Sequence, residues 1–229
     1  MRIAGFVKTT LQDWEGKNAC MILLGGCNFR CPFCNRPDLL DGTGDMDLSL
    51  ILGYIKDNKD FLEAVVISGG EPTMHNDLYK LIGDLRKLKI KIKLDTNGYY
   101  PDILDDLVGA KLVDKVCIHI MAPLDPSSYS KAAGTDVDIE RIKRSLRIIH
   151  ESEMPYEIRT VAVPGIVTHG SFGKMLADLD GSKSMIIQQF DPRVTLDPKM
   201  NVTPYPKPAL VKMAETAKGH IEKVRIRGV

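Results

Sequence analysis

The chain of 229 residues has no long apolar run. The longest near its start, residues 19–24, falls far short of the roughly 20 residues that a membrane-crossing helix needs. Residues 1–15 carry Asp13 and Glu15 and no cleavable apolar region, so a cytoplasmic location is expected. Charge of one sign is also missing: 31 Lys+Arg against 30 Asp+Glu leave +1. That balance gives no electrostatic case for a nucleic-acid or membrane partner, and the basic run 141–147 reads as a solvated helix face. No repeat, low-complexity tract or long polar linker marks a boundary. A single domain over 1–229 is expected, with a core at about 17–190 and an extension, 191–229, packing on it. Cysteine is scarce and odd in number, at five. Three cysteines fall within residues 27–34, which excludes a secreted disulfide framework and favours thiolate ligands in a reducing compartment.

What is present is an ordinary globular composition, 44% hydrophobic and 27% charged, in which short β-rich runs alternate with helical patterns. The runs are 19–24, 64–68, 90–96, 115–120, 156–163 and 184–190. Helices 77–88 and 138–150 each gather their apolar residues on one face and begin with a capping Asp. Weaker helical patterns cover 48–59, 101–108, 171–180 and 206–220, and a last strand is expected at 221–227. About six strand–helix units with parallel strands predict an α/β fold, a partial (β/α)6 TIM-type barrel. A flat doubly wound sheet is the alternative.

Cys27, Cys31 and Cys34 stand in the order C-x3-C-x2-C just after the first expected strand. Three thiolates on one loop can hold three irons of a 4Fe-4S cube and leave the fourth iron open to a substrate. Gly25 and Gly26 allow the turn and Pro32 stiffens it. The competing reading is a zinc site completed by His75, His119 or Cys20. Ser68-Gly69-Gly70-Glu71-Pro72 and Asp95-Thr96-Asn97-Gly98 each end a strand, where barrel enzymes concentrate function; taken alone, each is also a good turn.

With Phe33 between the last two cysteines, the loop resembles the C-x3-C-x-aromatic-C hallmark of the radical S-adenosylmethionine (SAM) enzymes. Residues 6–13, 37–39, 93–98, 159–164 and 188–190 resemble, in order, the anaerobic ribonucleotide-reductase activating group of pyruvate formate-lyase activating enzyme type. The resemblance implies one 4Fe-4S cluster on Cys27, Cys31 and Cys34, with SAM chelated to the open iron. It implies reductive cleavage of SAM to a 5′-deoxyadenosyl radical that abstracts hydrogen from a glycyl-radical enzyme subunit. A flavodoxin or ferredoxin type protein would supply the electron. Ser68, Gly69, Gly70 and Glu71 would hold the SAM amino group. Asp95 and Thr96 would lie beside its carboxylate and a monovalent cation, with Asn97 nearby. Phe33 and Phe190 would line the cofactor site, Phe190 against the adenosine, and Asp13 and Arg159 would face the substrate. A small molecule or another peptide as substrate, and a non-catalytic Fe-S or zinc protein, remain as alternatives.

The chain departs from that group at His119, where an Asp is usual, and at Met121, where a Lys is usual. Strand alternation puts Cys117, His119 and Met121 on one face. Either a protonated His119 replaces the cation, or the SAM carboxylate is held differently; the plain reading is packed interior residues. Asn35-Arg36-Pro37 also differs from the usual His-Asn-Pro.

Overall fold

Six runs rich in Val, Ile and Leu form the centre of one sheet, because a parallel strand covered on both faces has no side left for water. The computed structural model describes residues 2–229. Its strands are β1 (Ile3–Thr10), β2 (Ala19–Leu24), β3 (Ala64–Gly69), β4 (Lys91–Thr96), β5 (Lys115–His119), β6 (Tyr156–Ala162), β7 (Ser184–Gln189) and β8 (Lys223–Arg227). The helices are α1 (Leu48–Asp57), α2 (Leu78–Lys87), α3 (Pro101–Gly109), α4 (Pro126–Ala133), α5 (Ile139–Glu151), α6 (His169–Asp178) and α7 (Lys207–Ala217). None of them is long and apolar enough to cross a membrane.

The sheet order is β1 through β8 without a reversal. A doubly wound sheet reverses its strand order, so that alternative is excluded and the partial barrel holds. β2 to β8 run parallel, while β1 lies antiparallel on β2. Two elements were not foreseen. β1 leaves Val7, Lys8 and Thr9 exposed, so its sequence lacks the fully apolar signature of the central strands. α4 is short and polar, begun by the Asp125 carboxylate accepting from Ser128 N at 2.9 Å and closed by Gly134 at φ +65°. The C-terminal strand is more than a piece packed on the barrel, since β8 pairs with β7 as part of the sheet.

Helix α5 shows how the outer layer is held. Ile139, Ile142, Leu146 and Ile149 are buried, and the Asp138 carboxylate accepts from Glu140 N at 3.2 Å. Each such apolar side chain contributes about 1.5–3 kcal/mol by leaving water. The basic residues Arg141, Arg144 and Arg147 are exposed on the opposite face, as a solvated surface should be.

The edge strands β1 and β8 are not paired with each other. Charge bridges the seam between them: Arg227 meets Asp13 at 2.8 Å, Lys223 meets Glu15 at 3.7 Å, and Arg225 also pairs with Glu15. The curvature that brings these groups together also lets Lys93 on β4 reach Glu157 on β6, at 2.6 Å across the interior.

Candidate active site

The cysteine loop is fixed by backbone. Gly25 N donates to Arg2 O at 3.0 Å, Gly26 N to Leu39 O at 2.6 Å, and Arg30 N to Ala133 O at 2.7 Å, so the end of α4 props the loop from below. Gly69 and Gly70 are required by this packing: a Cβ on Gly70 would overlap the carbonyl of Gly26, and one on Gly69 would overlap Leu24. Cys34 N donates to Cys31 O at 2.9 Å, closing a turn that keeps these two thiols in one small region. Burial pushes the Cys27 thiol up to about 12 and raises Cys31 and Cys34 as well, with neighbouring cysteines adding to the rise at Cys27 and Cys31. Three thiols gathered where their ionised forms would repel are a donor set for a cationic metal centre.

Glu71 ties the second motif to the third. It is fully buried, and one carboxylate oxygen accepts from Thr96 Oγ1 at 2.7 Å, Thr73 N at 2.9 Å and the Thr73 hydroxyl. Its other oxygen accepts from Asn97 N at 2.6 Å, and Asn97 Nδ2 donates to Asn28 Oδ1 in the cysteine loop at 2.8 Å. The carboxylate thus faces protein donors and is absent from the cavity wall, in contrast to the ligand contact expected from the motif. Thr96 likewise spends its hydroxyl on Glu71, leaving backbone and Asn97 as the polar surface there.

The interior faces of β4, β5, β6 and β8 carry a charge network. Asp95 lies 3.2 Å from Arg159 Nη1 and 3.4 Å from Lys93 Nζ, and these two cations hold its carboxyl down to about 2 against the cost of burial. Glu157 meets Lys93 at 2.6 Å, Lys115 at 2.7 Å and Arg225 at 3.1 Å, and is also held down to about 2. Breaking one such buried pair costs about 3–5 kcal/mol, because the remaining charge is stranded.

His119 faces the same network. Burial, and then the Arg159 guanidinium, lower it to about 4, opposed by Asp95 at 4.0 Å. Its side chain is 32% exposed, but that surface lies on the cavity wall, where the neighbouring charges act on it. Burial and the Arg159 guanidinium thus favour the neutral imidazole near pH 7, which speaks for the other alternative, a SAM carboxylate held differently. Asp95, Cys117 and His119 are the one group of three metal-ligating side chains with atoms within 4.8 Å among the described residues. Asp95 is already neutralised by two protein cations, and burial pushes the Cys117 thiol up to about 12.

A cavity of about 370 Å³ opens between these motifs, and every expected site residue except Glu71 lies on its wall. That volume suits a small organic ligand. A closed zinc site needs a fourth protein ligand beside the three loop thiols. Cys20, one proposed zinc partner, is fully buried with its thiol toward Ala64 O at 3.9 Å. Met121, not foreseen as a site residue, puts its sulfur 3.2 Å from Cys31 Sγ. Arg227, Lys93 and Glu157 were also missed; charged residues at alternate positions of apolar strands were their only signal.

An open parallel barrel with a three-cysteine loop after its first parallel strand defines a class of iron–sulfur enzymes that work at the C-terminal ends of the strands. The chain belongs to the radical SAM superfamily, whose family model matches residues 21–170. It is 32% identical to a provisionally named glycyl-radical enzyme activating enzyme of Methanocaldococcus jannaschii, over 99% of this chain and 96% of that one. Streptococcus suis SuiB bound to S-adenosylmethionine has a similar structure, with a TM-score of 0.70 and 19% identity over 90% of this chain. The chain spans about half of SuiB, 49% of its length. QueE from Escherichia coli shares the fold at a TM-score of 0.55 and 18% identity, over 100% of this chain and 94% of that one.

Proposed function

We propose that this chain activates a glycyl-radical enzyme: it cleaves SAM and takes hydrogen from a glycine Cα of a partner subunit. The observation that carries the reading is the loop of three thiols opening on a cavity whose opposite strands bring buried charged groups to its wall. Similarity to a provisionally named glycyl-radical enzyme activating enzyme along nearly the whole chain supports the choice of target.

Cys27, Cys31 and Cys34 would hold a 4Fe-4S cluster. When bound, and with an electron from a flavodoxin or ferredoxin type donor, it would supply reductive cleavage of SAM and the radical that abstracts hydrogen. The chain's own part is binding and exclusion of water. The backbone at Ser68, Gly69 and Gly70 offers polar groups where no side chain intervenes. Glu71, through Thr96 and Asn97, sets the shape of that surface. Asn97 and Asp95 add polar groups beside it, and Phe33 and Phe190 supply apolar wall for a nucleoside. Arg159 and Asp13 face the space left for the substrate. Lys93 and Arg159 offset the charge of Asp95, while its Oδ1 remains a buried acceptor without a hydrogen-bond partner beside that surface.

The test is anaerobic reconstitution with iron and sulfide, then SAM and a strong one-electron reductant. About four irons per chain and accumulation of 5′-deoxyadenosine are expected; zinc alone, or intact SAM, would refute the chemistry. Adding a glycyl-radical subunit should give its carbon-centred radical by electron paramagnetic resonance. Robust turnover of a small metabolite without that subunit would refute the target.

A further inference from the structure

The cavity wall is unevenly satisfied. Strand alternation along β8 puts Lys223, Arg225 and Arg227 on one face and Val224 and Ile226 on the other, and the two arginines reach Glu157 and Asp13 in the interior. The carboxylates here have their cations: Asp95 has Lys93 and Arg159, Glu157 has Lys93, Lys115 and Arg225, and Asp13 has Arg227 and the Thr10 hydroxyl. Asp95 Oδ1 and His119 Nε2 have no hydrogen-bond partner, and neither do several arginine nitrogens. Arg159 is only 6% exposed, yet its Nε and Nη2 have no hydrogen-bond partner; Nη2 stands 3.6 Å from Glu157, beyond hydrogen-bond length. Arg227 Nη1 is also without a partner. Both residues lie on the wall of the cavity. Buried donors without acceptors cost about 1–3 kcal/mol each, and guanidinium groups fit the two oxygens of an oxyanion in parallel.

We propose that the partner segment entering this cavity carries an oxyanion beside its glycine, a carboxylate or a phosphate, gripped by Arg159 on β6 and Arg227 on β8. This rests on the reading of the cavity as the place where hydrogen is abstracted, and it names the chemical class of what is placed there. Asp13 is then the internal competitor: its carboxylate occupies one side of Arg227 at 2.8 Å.

Trp14, the single tryptophan of the chain, is buried directly after Asp13 and reports on that exchange. Cluster-loaded protein, with and without SAM, is titrated with succinate and, separately, with inorganic phosphate, against neutral succinamide, all at one ionic strength so that screening is constant. A saturable change in Trp14 emission with at least one anion and none with succinamide is expected, and the preferred anion identifies the source. Arg227→Gln should weaken that response about 10- to 100-fold, the worth of one charged hydrogen-bond pair, with Arg227→Lys between. Asp13→Asn should strengthen it, an effect that loss of structure cannot mimic. The proposal is overturned if neither anion saturates, if Arg227→Gln binds as the parent does, or if SAM itself abolishes the response, which would assign the arginines to the cofactor carboxylate. 5′-Deoxyadenosine formation without added anion is measured in parallel. Its absence would count against the radical chemistry, whereas anion indifference in a SAM-cleaving protein counts against the clamp alone.

Discussion

The two ends of the barrel interior treat polar groups in opposite ways. Toward the N-terminal ends of the strands, Lys93, Lys115 and Glu157 are matched to partners within 2.7 Å. Toward the C-terminal ends, three thiols and two arginines face a cavity with donor or ligand capacity unspent. The lower network closes a barrel whose edge strands do not pair. The upper set destabilises the free protein and is explained by what it binds. Stability and function are thus separated along one set of strands, and substitutions should fall into two kinds.

The sharpest division comes from the cysteines. Cys31→Ala should leave folding intact and reduce both iron content and 5′-deoxyadenosine formation to the background of cluster-free protein. Cys20→Ala, on β2 ahead of the loop, should leave both unchanged; iron analysis and chromatography of the products check this. Lys93→Met should do the reverse, costing about 3–5 kcal/mol in denaturant unfolding because Glu157 and Asp95 lose a buried partner. Adding Glu157→Gln should recover part of that loss; an additive double variant would break the network account. Glu71→Gln is intermediate. A carboxamide cannot accept at both oxygens, so about 1–3 kcal/mol of stability should go, with SAM affinity falling through the displaced Asn97.

The smallest effect is with pH. His119 is held at about 4 in the folded chain, below its ordinary 6.5. Its contribution is therefore complete above pH 6.5 and is lost as pH falls toward 4. Asp95 and Glu157, both held near 2, keep their contribution until the pH drops below their ordinary range near 4. The melting temperature should be flat from pH 8 to 6.5 and decline below. His119→Asn should remove about 1 kcal/mol of that decline, a value reduced for the ring's exposure to the cavity.

Much of the fold was legible because parallel strands covered on both sides are written as short apolar runs, and Asp138 with its amphipathic α5 is readable from spacing alone. β1 was hidden because an antiparallel edge strand can afford Lys8, Thr9 and Thr10. α4 was hidden because Ser127, Ser128 and Ser130 carry no apolar period, although Asp125-Pro126 and Gly134 mark its two ends. The cysteines and the glycine motif could be placed from order in the chain. The direction of the Glu71 carboxylate could not, since the same letters serve whether it faces a ligand or Thr73, Thr96 and Asn97. The neutral state of His119 depends first on burial and then on Arg159 from the next strand, 40 residues away, and no local pattern records either.

Electron paramagnetic resonance of the reduced, reconstituted protein with and without SAM addresses the central claim most directly. A cluster held by Cys27, Cys31 and Cys34 alone should change its spectrum when SAM is added, and lose its signal in Cys31→Ala. A spectrum indifferent to SAM, or one that survives the loss of Cys31, would mean that the cluster has no open position and that the cavity serves some other chemistry.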